Sequence, residues 1–219
     1  MESDKDLDVG SGWAHAPRMD SEYNRAEYDE LGERYEGMVA GWRYVAPRGT
    51  AEMILNHLGS ADGRVLDCAC GTGLTGAALH EAGFRKIVGA DISTVSLDVA
   101  RAKNVYTDLH EVDLQALPIK QFTDDGFDAV QCVAAMAFIG AEPMFREMCR
   151  LVRPGGVALY TQRVDLYEAR GYEAVEELLT SEGLWSPLEC SAPQPYLPGH
   201  PDYRENILVR YHAFRVGEG

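Results

Sequence analysis

The sequence predicts an α/β fold built on a doubly wound, mostly parallel sheet, and three observations carry that expectation. From Asp62-Gly63 onward, short apolar runs alternate with helix-like patterns, as parallel strands joined by crossover helices require. The first run, Val65-Leu66-Asp67, meets a glycine-rich turn and then a helix pattern from Leu74. Near the end, Asn206 to Val216 has strand composition and is expected to pair with Trp185 to Cys190 as an antiparallel addition.

In chain order, residues 1–20 mix Asp, Ser, Gly and Pro with little periodicity and read as a mobile tail, anchored by Trp13 alone. Apolar residues at three- and four-residue steps from Tyr23 to Trp42 (Tyr28, Leu31, Tyr35, Val39) predict a helix. Pro47 opens another, with Ala51, Ile54 and Leu55 on its buried face and Gly59 ending it. These two form an N-terminal helical cap, residues 21–60, on a Rossmann-like core, residues 61–219, all in one domain.

In the core, the strand to Asp67 leads to a helix from Leu74 to Ala82, capped by Gly83. A strand from Lys86 to Ala90 and a helix from Thr94 to Lys103 follow. Strands are predicted near Leu109 to Val112 and Phe127 to Val133, then a helix from Pro143 to Val152 and a strand from Val157 to Gln162. A helix from Tyr172 to Glu182 precedes the terminal pair, and the four prolines between Ser191 and Pro201 predict a stiff surface loop.

Composition narrows the function. A formal net charge of -15 argues against a nucleic-acid partner, because such binding draws much of its affinity from Lys and Arg. No apolar run approaches the ~20 residues of a membrane helix, and the polar start lacks a signal-peptide pattern, so a cytoplasmic protein without membrane contact is expected. The five cysteines are an odd number without C-x-x-C spacing. Cys68 and Cys70 have no second pair, so no metal site is implied.

Chemistry centres on the loop. Gly71, Gly73 and Gly76 spell G-x-G-x-x-G, which alone points to a dinucleotide. Asp67 opposes that reading: a carboxylate beside a pyrophosphate is repelled by about 4 kcal/mol at 4 Å and an effective dielectric of 20. A cationic ligand is welcome there, and S-adenosylmethionine carries a sulfonium, an ammonium and no phosphate. Asp91 ends the second strand about twenty residues on, where an acidic residue takes ribose hydroxyls. Ile92 is placed to lie against adenine and Asp113-Leu114 to meet its amine. The ordinary reading of Asp91 is a helix cap, a role Ser93 fills equally well.

Motif by motif, the chain resembles a class I S-adenosylmethionine-dependent methyltransferase from Tyr23 to the C-terminus. Val65 to Gly73 matches the first motif, Gly89 to Ser93 the ribose motif, and Val112 to Leu114 with Leu117-Pro118 the adenine motif. Phe127 to Val130 matches the fourth strand and Leu151 to Gly156 the turn before the fifth. The upstream segment from Tyr28-Asp29 to Pro47 further resembles the methyltransferase-like proteins of the Williams-Beuren region. The resemblance implies S-adenosyl-L-methionine as cofactor and S-adenosyl-L-homocysteine as product. Asp67, Cys68, Ala69, Gly71, Thr72, Gly73, Asp91, Ile92, Asp113, Leu114 and Val133 are then the expected cofactor-binding residues. Ala69 departs from the usual glycine and sets a methyl near the methionine portion.

Acceptor-side candidates are Tyr28, Tyr35, Arg163 and the strand end Gln131 to Met136; His200 and His212 are expected to be structural or exposed. The absence of an Asn/Asp-Pro-Pro-aromatic sequence and of a Pro-Cys nucleophile leaves O, N or S of a small molecule, or a protein side chain, as acceptor. A cofactor-binding protein without turnover, serving a regulatory or scaffold role, is the alternative.

Overall fold

The computed structural model describes residues 17–32, 34–201, 203 and 206–217. Eight helices and eight strands follow in the order α1 (Ser21–Leu31), α2 (Arg34–Gly41), α3 (Ala46–Leu58), β1 (Arg64–Cys68), α4 (Leu74–Glu81), β2 (Lys86–Asp91) and α5 (Thr94–Ala102). Then come β3 (Asp108–Glu111), β4 (Phe127–Cys132), a 3-10 turn (Met136–Phe138), α6 (Ala141–Leu151), β5 (Val152–Arg163) and α7 (Val164–Ala169). The chain continues through α8 (Tyr172–Ser181), β6 (Trp185–Cys190), β7 (Gln194–Pro195) and β8 (Leu208–Val216).

The strands form one sheet in the order β3-β2-β1-β4-β5-β8-β6, with β7 also on β8. β1 to β5 pair in parallel, and β8 runs antiparallel to β5, β6 and β7. Successive residues of β1 therefore serve opposite faces. Leu66 and Cys68 join a core with Val130, Tyr160 and the apolar stripes of α6 and α8. Val65 joins Ile87, Leu159, Ile54 of α3 and Leu79 of α4 in the other. Helices cover both faces, and the strand order reverses between β1 and its neighbours β2 and β4, where doubly wound sheets open a crevice.

Several expectations are corrected. The helix expected from Tyr23 to Trp42 is two helices: Gly32, at φ +43°, closes α1 by donating its N–H to the Tyr28 carbonyl. Residues 17–20 are engaged rather than loose, since Asp20 Oδ1 caps α1 at Tyr23 N (3.0 Å) and the Arg18 carbonyl accepts from Asn24 Nδ2 (3.0 Å). Trp13 lies outside the described residues. The proline-rich segment is no simple surface loop, because Tyr196, Leu197 and His200 are buried and Gly199 N donates to the Trp42 carbonyl at 3.0 Å. The rings of Trp42 and His200 lie 4.5 Å apart and those of Tyr44 and Tyr196 6.0 Å, so this segment fastens the N-terminal helices to the core. α7 was not anticipated from the sequence.

Candidate functional site

β1 ends in a turn that only a few backbone conformations allow. Ala69, Gly71 and Gly73 have φ of +54°, +52° and +91°, the left-handed region that glycine enters freely and alanine does not. The loop is held from β2: Gly71 N donates to Asp91 Oδ2 at 2.7 Å, and Ser93 N to Asp91 Oδ1 at 2.9 Å. Burial raises the Asp91 carboxyl, and the two backbone N–H groups oppose that rise.

Asp67 is enclosed instead. Its carboxylate accepts from Thr75 Oγ1 (2.6 Å), Tyr106 OH (2.8 Å) and Gln131 Nε2 (2.9 Å), and no part of it is exposed. Burial lifts its pKa to about 6, with those three hydrogen bonds pulling downward. Tyr106 OH also accepts from Gly76 N at 3.1 Å. A Cβ on Gly76 would meet Tyr106 Cζ at 2.1 Å. The third glycine of G-x-G-x-x-G thus exists to admit a tyrosine ring, with no need of a pyrophosphate.

Above the carboxyl ends of β1, β2, β3 and β4 opens a cavity of about 920 Å³, its mouth to solvent included. Of the sequence-predicted cofactor residues, Ala69, Gly71, Thr72, Asp91, Ile92, Asp113, Leu114 and Val133 line it. Asp67, Cys68 and Gly73 do not. Asp67 is saturated by its three partners, Cys68 turns to the opposite face as the neighbour of Asp67 on a strand, and Gly73 packs toward Tyr106 and Ala100 of α5. The hydroxyl of Thr72 is buried in the cavity wall and has no hydrogen-bond partner among the described residues. A polar ligand group at that position satisfies it, so the residues present fit a polar cofactor of this kind.

The roof comes from the N-terminal helices: Ser21, Asn24 and Tyr28 of α1, Tyr35 of α2, and Tyr44 before α3, with Phe138 of the 3-10 turn closing the side. Tyr28 lies 6.2 Å from Tyr35 and 6.4 Å from Phe138, both edge-on. Four polar contacts pin the roof: Ser21 Oγ to Asp113 Oδ1 (2.8 Å), Ser93 Oγ to Asp29 Oδ1 (2.5 Å), Arg25 to Glu111 (2.8 Å) and Lys103 to Glu36 (2.7 Å). Burial pushes the Tyr35 phenol up to about 12 and those of Tyr28 and Tyr44 well above 10, so all three stay protonated.

Arg163, an acceptor-side candidate, does not line this cavity. It lines a smaller adjoining recess with Thr161, Gln162 and Tyr196, its guanidinium gripping both Asp165 oxygens at 3.0 and 2.6 Å. His200 and His212 are both buried and off the cavity. Sequence reasoning missed Tyr44, Phe138 and Tyr106; only the glycine inside the α4 pattern hinted at a ring packed there. Among the described residues no helix is long and apolar enough to cross a membrane.

Comparison with known proteins gives a consistent picture. Residues 65–156 match a family described as a methyltransferase domain. The chain is 30% identical over 166 residues to the human methyltransferase-like protein 27, covering 74% of this chain and 67% of that one. It is 27% identical over 143 residues to a demethylmenaquinone methyltransferase of Chlorobaculum parvum, covering 61% of this chain and 57% of the relative. The fold of the [4+2]-cyclase SpnF superposes with a TM-score of 0.71 at 18% identity, covering 93% of this chain and 98% of that one.

Proposed function

Because the chain belongs to the class I S-adenosylmethionine-dependent methyltransferases, we propose that it transfers a methyl group to O, N or S of a small molecule received beneath α1 and α2. The observation that carries this is the cavity itself, which unites the loop after β1, Asp91 and Asp113 under one aromatic roof. When bound, S-adenosylmethionine supplies a methyl carbon made electrophilic by its sulfonium.

In this reading Asp91 takes the ribose hydroxyls with the lone pairs that Gly71 and Ser93 leave open, since a carboxylate offers about four. Asp113 and Leu114 meet the adenine, with Ile92 and Val133 against its ring. Thr72 and the turn from Ala69 to Gly71 hold the methionine portion. Asp67 acts at one remove, by tying α4, β4 and Tyr106 to the loop.

Methyl transfer from a sulfonium is an in-line displacement, so the task of the protein is alignment, worth about 7–11 kcal/mol in favourable cases. Tyr28 and Tyr35 wall the acceptor side and, as neutral phenols, orient the acceptor rather than deprotonate it. The relatives include a demethylmenaquinone methyltransferase and a ubiquinone biosynthesis O-methyltransferase, names that favour a small-molecule acceptor over a protein. Residues 21–60 act as the cap of a single domain with the core. Incubating the full chain with methyl-labelled cofactor and a cell extract tests the proposal. Label in the low-molecular-weight fraction is expected; label only in protein, or none above background, would overturn it.

A further inference from the structure

We propose that the acceptor is an amine, which attacks as the uncharged base and carries the positive charge away; this rests on the methyl-transfer reading above. Three features of the cavity converge on that class.

The first is the sign of its charge. Among the described residues the wall carries the carboxylates of Asp91 and Asp113 and no Lys, Arg or His. Nearby cations are committed elsewhere: Arg25 to Glu111, Lys103 to Glu36, and Arg163 to Asp165 in the adjoining recess. An anionic acceptor, such as a thiolate or carboxylate, meets like charge without a partner.

The second is that, among the described residues of the wall, no group is left over to take a proton. In the reading above, the lone pairs that Asp91 keeps after Gly71 and Ser93 go to the ribose, and Asp113, whose Oδ1 accepts from Ser21 Oγ and from Gln115 N at 2.8 Å, meets the adenine. The roof tyrosines keep their own protons. A phenol or alcohol needs a base to become a good nucleophile, whereas an amine arrives with its lone pair free once it has shed its proton to water.

The third is the roof. Tyr28 stands at 61° to Tyr35 and 86° to Phe138, so these rings make a corner rather than a flat stack. Aromatic faces attract a compact cation. As the nitrogen lone pair forms the new carbon–nitrogen bond, the carbon–sulfur bond breaks and its electron pair stays on sulfur. The positive charge passes to nitrogen beside these rings, and the secondary or tertiary ammonium formed from a primary or secondary amine releases its proton to water afterwards.

The test is binding, read by ligand-detected nuclear magnetic resonance on the full chain loaded with S-adenosylhomocysteine. The probes are benzyltrimethylammonium, its uncharged carbon isostere neopentylbenzene, and benzoate. The cation is expected to bind about tenfold tighter than the isostere, equivalent to about 1.4 kcal/mol, with benzoate weakest. Tyr28→Phe, which keeps the ring, should retain that preference, and a folded Tyr28→Leu should reduce it. No binding of the cation, equal binding of cation and isostere, or preference for benzoate overturns the assignment, and none of these requires a variant. S-adenosylhomocysteine binding is measured first. If it fails, the methyl-transfer reading falls with the amine; if it holds without a cation preference, only the amine falls.

Discussion

Asp91 Oδ2 accepts a 2.7 Å hydrogen bond from the backbone N–H of Gly71, so the carboxylate that ends β2 also holds the turn that follows β1. Removing it leaves a buried donor unpaired as well as removing a ligand contact. Asp91→Ala should therefore lose about 1–3 kcal/mol of stability and weaken S-adenosylhomocysteine by about 1.5–3 kcal/mol. Urea unfolding and calorimetry on the same preparation check both. Unchanged affinity in the folded variant would remove Asp91 from the cofactor site.

Ala69 occupies the left-handed region at φ +54°, a conformation costing an L-residue about 1–2 kcal/mol. Ala69→Gly relieves that strain while loosening the unfolded chain by about 0.4–1 kcal/mol. The variant should match or slightly exceed the parent in stability and bind the cofactor at least as well. A clear loss of affinity at unchanged stability would show that the methyl is packed usefully against the ligand.

Burial holds the Asp67 carboxyl at about 6, above the ~3.9 of an unfolded chain. Between those values the folded state binds more protons. The stability contributed by this group is therefore full below about pH 4, falls as pH rises, and is lost above about pH 6. Asp67→Asn abolishes the titration, so the difference between variant and parent should move in the variant's favour by about 2 kcal/mol from pH 4 to pH 7.5. Urea unfolding at the two pH values measures it. A difference that does not change with pH would mean that the network holds Asp67 ionised throughout.

The roof is pinned by polar contacts more than by packing: among the described residues α1 buries only Asn24, and α2 only Val39. Segments with few buried apolar contacts open at low free energy. Amides from Tyr28 to Trp42 should exchange rapidly in the free protein and slow when S-adenosylhomocysteine is bound, as for a lid that closes over ligand. Equal protection in both states would make the roof a fixed element.

The core was legible because strand-end positions follow from period and spacing: Asp91 and Asp113 fall where β2 and β3 end, and both reach the cavity. Motif letters alone did not say which way each side chain turns. Cys68 follows Asp67 on β1 and so serves the other face, which the alternation rule would have placed in the core. The break at Gly32 was hidden because Tyr28, Leu31 and Tyr35 keep helical spacing across it. Gly76 marked a close approach on α4 but not its source, since Tyr106 lies 30 residues from it and 39 from its partner Asp67. The buried Tyr196 and His200 were masked by the prolines around them, whose presence signals a turn but not what the turn packs against.

The most direct test of the account is a calorimetric titration of the full chain with S-adenosylhomocysteine and, separately, with NAD. Binding of S-adenosylhomocysteine in the micromolar range, about -8 kcal/mol, and no heat with NAD are predicted. Absence of S-adenosylhomocysteine binding, or binding of NAD in its place, would contradict the assignment of the cavity.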